Sequence, residues 1–145
     1  MTGKPSSCIF CDAPEKDPAE ALLFHRGALC FLMLNRYPYA NGHVLVAPYR
    51  HIPTLKEATD AELHELIEWA RKIQTGLEEL YHPDGFNVGL NLGRSAGAGI
   101  EGHLHLHVVP RWSGDASFMS TIGDTRVIPE DLAVTFARLR TYFQK

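Results

Sequence analysis

The stretch His103-Leu-His-Leu-His-Val-Val-Pro-Arg-Trp112 decides how the rest of the chain is read. Its histidines recur every second residue, with leucines between them and two valines after. In a β-strand successive side chains point to opposite faces, so His103, His105 and His107 share one face while Leu104, Leu106 and Val108 face a core. Neighbouring rings then stand roughly 6.6 Å apart, from the ~3.3 Å rise per residue. Imidazole fills a strand face less well than Val or Ile, and three partly desolvated rings are costly near neutral pH. Such a row suits phosphate, metal or proton chemistry.

Working outward, Gly93 to Gly102 is a glycine loop, and Phe86 to Leu92 alternates apolar and polar residues as a strand does. Thr59-Asp-Ala-Glu62 has the capping-box pattern, and Leu63, Leu66, Ile67, Ala70, Ile73, Leu77 and Leu80 follow at helical spacing. A helix over 60–81 is predicted, stopped by His82-Pro-Asp-Gly85. Ala28 to Leu34 and Gly42 to Ala47 read as strands joined by the turn Asn35 to Gly42. Asp12 to Glu20 reads as a polar, proline-bearing loop. Pro129 at a first helical position, followed by Glu130 and Asp131, begins a terminal helix with Leu132, Phe136, Leu139 and Phe143 on one face. The order strand, strand, helix, strand, strand, helix predicts an α+β fold: an antiparallel sheet with a long central helix and a C-terminal helix.

At 145 residues one domain, 1–145, is expected, with the polar segment 1–7 flexible. The net charge of −3 argues against a nucleic-acid partner. No apolar run approaches the ~20 residues that span a bilayer, and the first residues lack the apolar block of a signal peptide, so no membrane association and a cytoplasmic location are expected. Three cysteines do not make a disulfide framework. Cys30, inside an apolar strand, reads as a core residue, and His25, His64 and His82 are assigned no role.

Two chemistries suit the histidine row. Alternate histidines on a strand can converge on a metal ion. A ring nitrogen can instead attack phosphorus while its neighbours bind the charged oxygens. The loop Asn91-Leu-Gly-Arg-Ser-Ala-Gly-Ala-Gly99 favours phosphate, because glycines let backbone N–H groups approach an anion. Cys8-Ile-Phe-Cys11 is half a zinc site, with His51 and His103 as candidate partners.

The pattern His-apolar-His-apolar-His-apolar-apolar resembles that of the histidine triad (HIT) superfamily. Other segments agree in order and separation: Cys8 to Cys11, Leu34 to His43, Pro48-Tyr-Arg-His-Ile52 and Gly85 to Leu92. The tail Pro110 to Phe118, followed by Arg126-Val-Ile-Pro-Glu130, resembles the branch of diadenosine polyphosphate hydrolases and phosphorylases. The Trp-Pro-Pro-Gly ending of the nucleoside phosphoramidase branch is missing. The resemblance implies a HIT-like fold and a homodimer acting on a nucleotide. His105 would be the nucleophile, its other ring nitrogen donating to a backbone carbonyl, with His107, His103 and His43 beside the phosphates. Asn35 would hold ribose; Asn91, Gly97 and Gly99 would lie along the phosphates. Phe10, Met33 and Leu45 would hold the base, and Trp112 could border the acceptor.

The resemblance also implies structural zinc on Cys8, Cys11, His51 and His103, and Mg2+ could travel with the substrate. One departure concerns the acceptor. Many members carry Gln or Ser four residues before the first histidine, where this chain has Gly99, so phosphate and water stay open. A nucleoside phosphoramidase, a nucleotide-binding interaction module and a hydrolase with its metal on the triad itself are the alternatives.

Overall fold

A computed structural model describes residues 8–36, 41–96, 102–115 and 130–145. The chain opens with two short helices, α1 (Ile9–Asp12) and α2 (Pro18–Ala21), joined by a 3-10 turn at Ala13–Glu15. Strands β1 (Leu23–Arg26), β2 (Cys30–Leu34) and β3 (Val44–Pro48) precede the long helix α3 (Asp60–Tyr81). Strands β4 (Gly85–Leu90) and β5 (Leu106–Arg111) and helix α4 (Leu132–Phe143) complete it. The strands form one antiparallel sheet in the order β1-β2-β3-β5-β4. The expected α+β architecture is borne out.

The unbroken apolar runs of β2 and β3 have a physical reason: both faces of these strands are buried. Cys30, Leu32, Leu34, Val44 and Val46 join Leu66, Ile73 and Leu77 of α3 and Phe136 and Leu139 of α4 in the main core. Phe31, Met33, Leu45 and Ala47 pack on the other face against Cys8, Phe10, Ala13 and Ala21 of the N-terminal segment. That segment is therefore helical turns rather than the loop expected over Asp12 to Glu20. Strand β1 was not anticipated either; its four residues are too few for a periodicity to register. It pairs with β2 across a tight turn in which Gly27 N–H donates to the Cys30 carbonyl at 2.7 Å.

Gly42 closes the β2–β3 connection at φ +79, where a Cβ would also meet Leu77 Cδ2 at 3.1 Å. The β5 ladder starts at Leu106, three residues later than the histidine spacing suggests. Leu104 N–H donates instead to the Ile52 carbonyl at 2.7 Å, so the segment stays extended and keeps its alternation. Leu104, Leu106 and Val108 lie in the main core, as expected.

Helix α3 begins on the predicted box. Thr59 Oγ1 accepts from Glu62 N–H at 3.0 Å and Glu62 Oε1 accepts from Thr59 N–H at 2.9 Å. His82, in the left-handed region at φ 51, ends it before Pro83. Helix α4 starts at Leu132 with Asp131 as N-cap, and Pro129 lies outside the described residues. Among the described residues, no helix is long and apolar enough to cross a membrane.

Glu62 also receives two hydrogen bonds from Arg50, at 2.9 and 2.8 Å, which hold its carboxyl down at about 2. A depressed carboxylate stabilises the fold above its unfolded value of 4.5, and that contribution is lost as pH falls through about 2. Arg50 is half exposed, so solvent screening holds the effect to about 1 kcal/mol. Glu62→Gln is therefore expected to lower stability by about 1 kcal/mol at pH 7. In urea unfolding the gap to the natural protein should narrow steadily below pH 4.5. An acid-independent gap would refute the assignment.

Candidate active site

The histidine face of the sheet is covered by the N-terminal segment, and its rings form a continuous run. Phe10 stacks on His105 with ring centroids 4.6 Å apart and 28° between planes. His105 and His107 stand 5.0 Å apart, closer than the rise alone gives, with 58° between their planes. His43 lies 5.2 Å beyond. β3 puts His43 just before its first residue, and the register Leu45↔His107 keeps it beside the row.

His105 Nδ1–H donates to the backbone carbonyl of His103 at 2.9 Å, which leaves the lone pair on Nε2. Burial pushes the pKa of His105 down, opposed by that hydrogen bond. Burial also lowers His107, with His105 nearby adding to it, and takes His43 to about 4, with His107 and His105 adding to it. All three rings are thus neutral at pH 7. His43 Nε2 and His107 Nδ1 share a proton across 3.0 Å. When His43 donates, the remaining proton of His107 sits on Nε2, a buried atom with no partner among the described residues. An unpaired buried donor is costly, and an anionic oxygen placed there would satisfy it. Asn35 Nδ2 lies 3.4 Å from His43 Nδ1.

His103 turns away from this group although it shares the face. Its Nδ1 lies 3.3 Å from Cys8 Sγ, 3.5 Å from Cys11 Sγ and 3.2 Å from His51 Nδ1. His51 Nδ1 is 3.5 Å from Cys8 Sγ and 3.2 Å from Cys11 Sγ. All four ligand atoms lie within 4.8 Å of one another. Bonds of about 2.0–2.3 Å to a tetrahedral Zn2+ imply ligand separations of about 3.3–3.8 Å, so the donor set fits zinc. His103 Nε2–H donates to the Pro48 carbonyl at 2.8 Å, fixing the tautomer whose lone pair faces the thiols. Gly102 backs His51: a Cβ there would come within 2.9 Å of His51 Nε2, and φ is +81.

The other expected residues are placed as follows. Asn91 is exposed and lines a cavity of about 330 Å3 with Asn87, Gly89, His107 and Val109. Met33 and Leu45 are buried together with Phe10. Trp112 is half-buried, and its N–H donates to Asp115 Oδ2 at 2.9 Å. Gly97 and Gly99 lie outside the described residues.

Two participants escaped the sequence reading. The Pro48 carbonyl carries no side-chain signal. Arg111 continues the period-two row past Val109, so it could have been found; it bonds Asp115 at 2.9 Å twice and Asn87 Oδ1 at 2.6 Å.

A five-stranded sheet carrying His-x-His-x-His beside a Cys/His cluster defines the class, and the HIT domain family model matches residues 17–114. The chain belongs to the HIT family. It is similar to the AP-4-A phosphorylase of Mycobacterium tuberculosis, 46% identical over 132 residues, or 91% of this chain and 68% of that one. It is also 36% identical, over 70% of its length and 56% of the other's, to the asymmetrical bis(5'-nucleosyl)-tetraphosphatase of Schizosaccharomyces pombe. A zinc-bound histidine triad family protein from Mycobacterium smegmatis superposes with a TM-score of 0.75 at 26% identity, covering 95% and 94% of the two chains.

Proposed function

We propose that this chain cleaves diadenosine polyphosphates through a nucleotidyl-histidine intermediate, with inorganic phosphate as the acceptor. The observation that carries the reading is the His105 Nδ1–H bond to the His103 carbonyl, which leaves Nε2 unprotonated on the sheet face. Nε2 attacks the α-phosphorus of diadenosine tetraphosphate in line; the P–N bond forms, the bridging P–O bond breaks, and ATP leaves. A phosphate oxygen then attacks the same phosphorus, the P–N bond breaks, and ADP departs. His107 Nε2–H and His43 stabilise charge on the equatorial oxygens, and Asn91, Gly97 and Gly99 are assigned as further phosphate contacts. Asn35 holds ribose, while Phe10, Met33 and Leu45 form the apolar wall for the base. Trp112 borders the acceptor. Phosphate as acceptor is supported by the likeness to the mycobacterial phosphorylase across most of the chain.

Zinc held by Cys8, Cys11, His51 and His103 is structural in this reading: four protein ligands leave no position open for substrate. Mg2+ accompanies the polyphosphate. The reading includes a single domain over 1–145 in the cytoplasm, supported by cysteines that form no disulfide. It also includes a homodimer. β4 ends the sheet with Val88 half exposed, an edge that a second β4 would cover.

The test is product analysis on diadenosine tetraphosphate with and without inorganic phosphate. ADP plus ATP, dependent on phosphate, is expected. AMP plus ATP would make the chain a hydrolase, and no products would leave a nucleotide-binding module.

A further inference from the structure

Helix α1 is a single turn with Cys8 as its N-cap and Cys11 inside it; Cys11 N–H donates to Cys8 Sγ at 3.3 Å. Of the two residues between the thiols, Ile9 is 48% exposed and Phe10 only 1%. The Phe10 ring lies against two histidines at once: His105 at 4.6 Å and 28°, and His103 at 5.3 Å and 40°. His103 is itself held at three points. Its Nδ1 faces the thiols, its Nε2–H donates to Pro48, and its carbonyl accepts the His105 proton.

A histidine nucleophile has two soft torsions, and in-line attack needs its lone pair aimed to within about 10–20°. The hydrogen bond to the His103 carbonyl restrains rotation of the His105 ring about its own axis. It does not prevent the ring from tipping out of plane. The face-on contact with Phe10 does.

We propose that Phe10 is a positioning residue. Gripped by Cys8 and Cys11 on either side, it holds the His105 imidazole in the plane where Nδ1 donates to His103 and Nε2 faces the reacting phosphorus. The Cys/His cluster and the nucleophile thereby act as one mechanical unit, joined through Phe10 and through the backbone of His103. This rests on the reading of His105 as nucleophile.

The experiment uses the full chain with one equivalent of Zn2+ and follows turnover of diadenosine tetraphosphate together with the 15N shifts of the His105 ring. The natural protein should show one tautomer, protonated on Nδ1. Phe10→Ala is expected to keep its zinc, to raise KM through loss of part of the base wall, and beyond that to lose about 10- to 100-fold in kcat and show two tautomers at His105. Phe10→Leu, which refills the space, should recover most of the kcat and the single tautomer. A raised KM with unchanged kcat would overturn the inference, leaving Phe10 its base-holding role alone. A fall in kcat with the His105 tautomer unaltered would overturn it too. Should Phe10→Ala not fold, the natural protein decides the matter: one tautomer with Zn2+ and two after chelation support the unit, and one in both states overturns it. Turnover surviving in His105→Ala would remove the underlying reading instead, so the two failures are distinguishable.

Discussion

His105→Ala is expected to abolish turnover of diadenosine tetraphosphate, with a loss on the order of 10^5-fold in kcat, the scale of removing a covalent nucleophile. No other group replaces it. His107 shares its Nδ1 with His43, and His103 points its free nitrogen at two thiols. The fold should survive, because His105 contributes one hydrogen bond and one ring stack while the sheet ladder begins after it. Rapid quench into alkaline denaturant, which spares the acid-labile P–N bond, and intact-mass analysis should show an adenylyl group on the natural protein and none on the variant. An alanine variant with near-normal rates, or an adduct that persists in it, would end the mechanism.

The second large effect concerns the Cys/His cluster. Cys8→Ala combined with Cys11→Ala is expected to abolish zinc binding and lower the melting temperature by on the order of 10 °C. The size follows from linkage: a metal a thousandfold above its dissociation constant stabilises by about 4 kcal/mol, and each kcal/mol moves a domain of this size by a few degrees. The four ligands come from positions 8, 11, 51 and 103, so one ion ties the N-terminal segment, the end of β3 and the start of the histidine row together. Calorimetry with added Zn2+ and with chelator, alongside the metal content of the purified protein, checks this. Identical melting in both conditions would show that the cluster holds no stabilising ion.

The elements legible in the sequence were those whose signals are local. The Thr59–Glu62 box and the stop at His82 marked both ends of α3 because capping depends on residues three or four apart. The alternation of His103 to Val108 placed the row on one face because a strand repeats every two residues. Strand β1 and the turns over Asp12 to Ala21 were not legible. Their apolar residues are too few to show a period, and what they cover is a sheet face formed by residues much later in the chain. Ile67 fits the helical spacing of α3 yet stands 61% exposed, since spacing gives an arc and only packing fixes its limits.

By itself, then, the chain of residues determined an antiparallel sheet with two helices on it and three imidazoles along one side. The tertiary structure alone separated their surroundings. His103 joins Cys8 and Cys11 across more than ninety residues, while His105 lies under Phe10 with its proton on the His103 carbonyl. Backbone periodicity dictates which side a ring emerges on. The proton it keeps and the atom it faces depend on partners that only the folded chain brings within 3 to 5 Å, and no spacing in the sequence encodes them.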